Sequence, residues 1–296
     1  MIESADKRYT RSELENTLGK IRVLLYHRIT MDKSIKKYPS IVVQANTFRR
    51  QLELLDRWGY TALTFEDVRL HLAGELNLPN RPVIITFDGG YGDVYETAFP
   101  ILQEFGMKAV VFVLGDQMMR ENIWDKDSVT LSPLLNQQQI LEIKAAGFEI
   151  GSHSMTHAKL TDVHERVATE EILRSRMLLE ILLNVPVNSF AYPYGLVNAT
   201  IKKIAKDAGY TFACADYTGP ALFGRDLLEI RRIVMPDTTN WLQFWWLLQS
   251  AYLYAHWLNW RLKKLISVVC RPTIPKDNII DALDVKKKKE HITPLQ

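Results

Sequence analysis

Short apolar runs alternate with longer helix-period segments along most of this 296-residue chain, and that alternation restricts the fold more than any other property. Strand-like runs fall at 21–27, 61–64, 83–87, 109–114, 148–151, 189–192 and 211–215. Between them the spacing predicts helices at 48–58, 65–72, 95–105, 136–146, 167–183 and 198–208, several ended by a glycine such as Gly59, Gly106, Gly147 or Gly209. Strand and helix units joined by short links require a parallel sheet, because a parallel neighbour is reached only through a crossover. This many units favour closure into a (β/α) barrel over an open sheet. The predicted class is therefore α/β. Residues 1–20 read as a polar leader or short helix, 21–236 as the barrel, 237–270 as a tryptophan-rich helical extension and 271–296 as a charged tail.

Composition excludes some functions. Lys and Arg total 37 against 34 Asp and Glu, a net charge of +3 that is too small and too dispersed for a nucleic-acid partner. Cys214 and Cys270 provide no disulfide framework and no zinc spacing, which favours a reducing compartment. No apolar signal core precedes Ile21, so the expected location is cytoplasmic, with peripheral attachment at the inner membrane face.

The chemistry concentrates at two places. The run Val83-Ile84-Ile85-Thr86-Phe87 ends abruptly on Asp88, Gly89 and Gly90, which places an acid at the carboxyl end of a buried strand, where barrels carry catalytic groups. About sixty residues on, His153 and His157 follow another strand. Two imidazoles four residues apart can bind one divalent ion if they project from a single helical turn or a compact loop, and neutral imidazole suits zinc, cobalt or nickel. Asp93 is a further acid in the first turn, readable as a helix N-cap or as a group supporting the site. His27 ends the first strand and is read either as a structural histidine or as a proton donor at the same mouth.

Three motifs occur together: Thr86-Phe87-Asp88-Gly89-Gly90-Tyr91, His153-Ser154-Met155-Thr156-His157 and Ala191-Tyr192-Pro193-Tyr194-Gly195. In order and separation they resemble the polysaccharide deacetylase family, carbohydrate esterase family 4, with its NodB homology domain. The resemblance runs from about Val23 to Val234 and takes in Trp124-Asp125 and Arg231-Arg232-Ile233. It implies a distorted (β/α) barrel that hydrolyses the N-acetyl group of an amino sugar in a glycan or lipid-linked precursor, using a metal-bound water. It also implies that Asp88 is the base, that His153 and His157 are ligands, that Pro193 and Tyr194 with Tyr192 form the substrate groove, and that the Tyr194 backbone N–H is an oxyanion donor. Two positions depart from the family pattern. Gly89 stands where the family has its metal-binding acid, and Ala191 stands where many members have an arginine that orients the base. Three outcomes follow for the metal: a two-histidine site completed by water, recruitment of Asp88 as a ligand, or a metal-free site in a binding or scaffold protein.

The segment 240–260 contains no Asp, Glu, Lys or Arg and holds five of the seven tryptophans. Drawn as a helix, Phe244, Leu247, Leu248, Ala251, Tyr254, Ala255 and Leu258 form one face. Trp241, Trp245, Trp246, Trp257 and Trp260 lie opposite, among neutral polar groups. That composition suits a membrane surface, a partner surface or plain packing, with a true membrane span as a further reading.

Overall fold

The computed structural model describes residues 10–35, 40–125, 131–216, 223 and 225–249. One compact unit runs from Met1 to Trp257; the second, Leu258–Gln296, lies outside the described residues together with Trp257, Trp260 and the charged tail.

In order, the strands are β1 (Arg22–Tyr26), β2 (Arg28–Thr30), β3 (Val42–Gln44), β4 (Thr61–Leu63), β5 (Pro82–Phe87), β6 (Val110–Val113), β7 (Glu149–Ser152), β8 (Ser189–Ala191), β9 (Phe212–Ala215), β10 (Ile230–Arg231) and β11 (Ile233–Val234). The helices are α1 (Arg11–Leu18), α2 (Ala45–Arg57), α3 (Phe65–Ala73), α4 (Phe99–Glu104), α5 (Gln137–Ala145), α6 (Glu165–Leu183), α7 (Ala199–Asp207) and α8 (Trp241–Leu247). The main sheet is all parallel in the order β10-β9-β8-β7-β6-β5-β1-β11, with β4 paired to the first half of β5.

Its two ends nearly meet. β10 pairs with β9 and β11 pairs with β1, yet only Arg232 separates β10 from β11. One broken strand therefore bridges both edges of the sheet, and the barrel is distorted at that break. β2 and β3 form a separate parallel pair that the apolar pattern does not reveal, because each is three residues long.

Strand side chains alternate between faces, so each strand contributes one set to the barrel interior and one to the layer beneath the helices. Val23, Ile84, Val110, Phe112, Ala191, Phe212, Cys214 and Ile230 form the inner cluster, closed at the amino ends of the strands by Leu18, Phe65 and Phe223. The outer set, including Leu24, Tyr26, Ile85, Phe87 and Val111, packs against helices through Phe48, Leu52, Ile140 and Ile172. Leu18 is fully buried, so the region read as a polar leader contains a helix that belongs to the barrel floor; Thr10 starts it with a capping box to Glu13. The helix expected at 95–105 opens as a π-helical turn, Val94–Ala98, before α4.

Candidate active site

The same two-residue period brings the reactive groups together. Ile84 and Thr86 face inward on β5, so Asp88 continues that row at its carboxyl end; Gly151 on β7 puts His153 in the same position, and Cys214 on β9 does so for Asp216. Arg232 enters from the break between β10 and β11. Its Nη1 and Nη2 each donate to one oxygen of Asp88 at 2.6 Å. It also donates to Thr86 Oγ1 and Asp216 Oδ1, both at 3.2 Å. Asp88 and Arg232 are both buried, at 3% and 4% exposed. Burial alone would raise the Asp88 pKa; the charge of Arg232, with smaller contributions from His153 and His27, reverses this and holds the carboxyl at about 2. Arg232 thus supplies the orienting arginine that is missing at Ala191.

The two histidines sit on a compact loop after β7, not on a helical turn. Ser154 and His157 have φ of +66° and +64°, a region that costs non-glycine residues on the order of 1–3 kcal/mol. Glu171 on α6 holds the loop in this shape. Its Oε2 accepts from the backbone N–H of Met155 (3.0 Å) and Thr156 (2.9 Å), and its Oε1 accepts from Thr156 Oγ1 (2.7 Å). The His157 N–H donates to Ser154 Oγ at 3.1 Å.

The rings of His153 and His157 lie edge to face, with centroids 4.8 Å apart. His153 Nδ1 is 2.8 Å from the Ala191 carbonyl, a contact that requires the N–H at Nδ1 and leaves Nε2 with its lone pair. His157 is stacked on Trp124 (4.4 Å, 7°) and meets the edge of Tyr194 (4.7 Å). Burial pushes both imidazole pKa values down, that of His157 well down with further help from His153, so both rings are neutral at pH 7.

This donor set fits two positions of a divalent-ion site. Neutral imidazoles, one with its tautomer fixed and the other with Nδ1 buried and unpartnered, are the ligand form. Among the described residues, no cluster of three His, Cys, Asp or Glu side chains suited to a metal occurs. Each oxygen of Asp88 accepts one bond from Arg232 and keeps a further lone pair, which leaves the carboxylate able to take a proton or to meet an ion. Gly89 is not a simple gap. Its φ is +90°, and a Cβ there would lie 2.6 Å from Cε2 of the buried Tyr91 ring.

The other expected residues separate into two groups. His27, at the carboxyl end of β1, is near enough for its charge to act on Asp88, His153 and His157. Pro193 is buried, and Tyr194 is 47% exposed with φ +59°, which turns its ring across the mouth toward His157. Tyr192 does not reach the mouth with its side chain. It is fully buried against Phe190, and its hydroxyl donates to the Leu228 carbonyl. Asp93 makes no helix-cap bond; its Oδ2 accepts from Arg28 Nε at 2.8 Å, and Arg28 lies 5.7 Å over the Tyr91 ring. Burial pushes the Asp93 pKa up to about 6 against the opposing charge of Arg28.

Arg232, Asp216, Glu171 and Trp124 are the site residues to which sequence reasoning gave no role. Asp216 carried a signal, since it ends the run Phe212-Ala213-Cys214-Ala215 as Asp88 ends its own strand.

Residues 75–213 match the family model described as polysaccharide deacetylase. The protein YxkH of Bacillus subtilis (strain 168), which carries a provisional polysaccharide deacetylase name, is 27% identical over 215 residues, covering 73% of this chain and 71% of its own length. The poly-beta-1,6-N-acetyl-D-glucosamine N-deacetylase of Staphylococcus aureus (strain MRSA252) is 26% identical over 61% of this chain, which spans 62% of that protein's length. Among solved structures, the Streptococcus pyogenes deacetylase PplD, in complex with acetate, superposes with a TM-score of 0.67 at 26% identity, covering 77% of this chain and 98% of that one. With the NodB-type barrel and the three motifs assembled at its mouth, the chain is similar to polysaccharide deacetylases in sequence and in fold.

Proposed function

We propose that this protein hydrolyses the N-acetyl group of an amino sugar within a glycan, releasing acetate and leaving a free amine. The observation that carries the proposal is the Asp88 carboxylate, clamped through both oxygens by Arg232 beside the His153 and His157 pair at the carboxyl ends of the strands. The relative from Staphylococcus aureus, by its name, acts on poly-beta-1,6-N-acetyl-D-glucosamine, and an N-acetylated amino-sugar polymer or its lipid-linked precursor is the proposed substrate class here.

His153 and His157 would hold a divalent ion, zinc first with cobalt or nickel as alternatives, which when bound would supply Lewis acidity. Asp88 accepts the proton of the attacking water. The charge of Arg232 holds the Asp88 carboxyl below the usual carboxylate range, which makes it a weak base toward ordinary water. Arg232 fixes the orientation of the carboxylate. The Tyr194 backbone N–H is the proposed donor to the oxygen that becomes negative as the acyl carbon turns tetrahedral, and such a donor strengthens in the transition state. When the C–N bond breaks the amine takes a proton, and His27 is the proposed donor because it is the further titratable group of this cluster.

A second reading, a carbohydrate-binding protein without turnover, is favoured by Gly89 and by the lack, among the described residues, of a cluster of three side chains suited to a metal. Acetate release from N-acetylated amino-sugar polymers, measured on chelator-treated protein and after addition of zinc, cobalt or nickel, separates the two. Release restored by a metal supports the hydrolase; binding of the polymer with no release under any metal establishes the binding protein.

A further inference from the structure

Helix α8 presents an aromatic face that the barrel does not use. Phe244 and Leu248 are buried, and Phe244 stacks on Trp58, the residue that caps α2, at 5.8 Å, which fixes the helix to the barrel. Trp241, Leu242, Trp245 and Trp246, spaced i, i+1, i+4 and i+5, point away and are 61, 55, 46 and 44% exposed. A groove of about 1130 Å³ separates this face from α2, and Arg50, Arg57, Trp58, Trp241 and Trp245 are among its lining residues.

Charge and composition select the occupant. Three indoles, each an apolar ring with one N–H donor, form the residue class that concentrates at the boundary between headgroups and acyl chains. The rim carries Arg50 and Arg57, both exposed, against the exposed acid Glu53; the other acid, Asp237, is engaged by the Gln44 backbone N–H at 2.8 Å. The run 240–260 has no charged residue, and the sequence continues with Arg261, Lys263 and Lys264. A protein partner offers no equal reason for guanidinium groups bordering a row of tryptophans, whereas phosphate headgroups above an apolar layer match both.

Orientation gives the face a consequence. β11 runs parallel to β1, so the chain leaves β11 at the mouth end of the barrel, and α8 begins there seven residues after Val234. Its far end returns toward the barrel floor, where the Leu248 carbonyl accepts from Arg22 Nε at 2.7 Å. Trp241 and Leu242 therefore lie at the end of α8 nearer the active site.

We propose that this face docks the barrel on an anionic phospholipid surface, with Trp241, Trp245 and Trp246 entering the headgroup layer and Arg50 and Arg57 meeting phosphates. Such docking holds the mouth close to a membrane-borne glycan, and its existence does not depend on the hydrolase assignment. The test is co-sedimentation of the full chain with vesicles of phosphatidylcholine alone and with equal phosphatidylglycerol, alongside size-exclusion chromatography without lipid. Trp241→Ser/Trp245→Ser/Trp246→Ser should reduce partitioning at least tenfold with an unchanged thermal midpoint, since the altered side chains are exposed. Arg50→Gln/Arg57→Gln should lower the preference for anionic over neutral vesicles by about fivefold per arginine. A wild-type chain that does not sediment, or a triple variant that sediments equally, overturns the proposal. A dimer that the triple variant disperses, with no vesicle binding, also overturns it and assigns the face to contact between copies.

Discussion

Removing Arg232 should expose how much of the site's order rests on one ion pair. Asp88 is held at about 2 against an ordinary value of 3.8, a contribution to stability on the order of 2 kcal/mol at neutral pH. Arg232→Met removes that contribution and leaves a buried carboxylate with its cation gone, a change that typically costs about 3–5 kcal/mol. The substitution also takes a donor from Asp216, while the Thr86 hydroxyl keeps its bond to the Leu24 carbonyl at 2.7 Å. The double variant Asp88→Asn/Arg232→Met removes both charges and should be more stable than the single variant by about 2 kcal/mol. The pH dependence gives an independent signature. In the wild type the depressed pKa contributes stability that is full above 3.8 and is lost as pH falls toward 2. In Arg232→Met, burial dominates and raises the folded pKa above 3.8; the variant is then stabilised at low pH and loses that stability as pH rises. The gap between wild type and variant should therefore be widest near pH 7 and narrow on acidification, as read from urea unfolding at pH 4, 5, 6 and 7. A single variant within 1 kcal/mol of wild type at pH 7, or a gap that does not change with pH, would refute the role given to this pair.

Glu171→Ala should release the loop that carries both histidines by removing three hydrogen bonds, lowering stability by about 2–4 kcal/mol and weakening zinc binding measured by competition with a chromophoric chelator. Trp124→Ala removes a stacked partner worth about 0.5–1.5 kcal/mol, and the imidazole resonances of His157 should broaden while those of His153, held by Ala191, stay sharp. Gly89→Asp restores the family's usual residue but places a Cβ against the Tyr91 ring at positive φ; a loss of about 1–3 kcal/mol in thermal unfolding is expected, and a neutral effect would show that Tyr91 yields readily.

Much of this fold is legible in sequence because its signals are local. The run 83–87 is apolar, β-branched and followed by glycines, and it forms β5 with Asp88 at its carboxyl end. Glycines at 59, 106, 147 and 209 all take positive φ where helices stop, as their positions suggested. What stayed hidden depends on distance along the chain. Arg232 meets Asp88 across 144 residues, and the break between β10 and β11 decides that it, not Arg231, engages Asp88. Glu171 is one carboxylate among several on α6 until the loop after β7 folds back onto it. Tyr192 looked like a groove residue because the motif is contiguous, yet neighbours in a strand face opposite ways, and the parity that turns Ala191 inward sends Tyr192 into the outer core. Asp93 looked like a cap because it precedes a helix. That helix opens with a π turn, and the carboxylate is drawn to Arg28 instead.

The central claim is that Asp88, clamped by Arg232 beside two neutral histidines, drives hydrolysis of an N-acetyl group. Acetate released from poly-beta-1,6-N-acetyl-D-glucosamine by wild type and by Asp88→Asn, each supplied with zinc, tests it most directly. The account predicts release by the wild type and a loss of about 10²–10⁴-fold in the variant, with polymer binding retained. Equal release by the two proteins would contradict it.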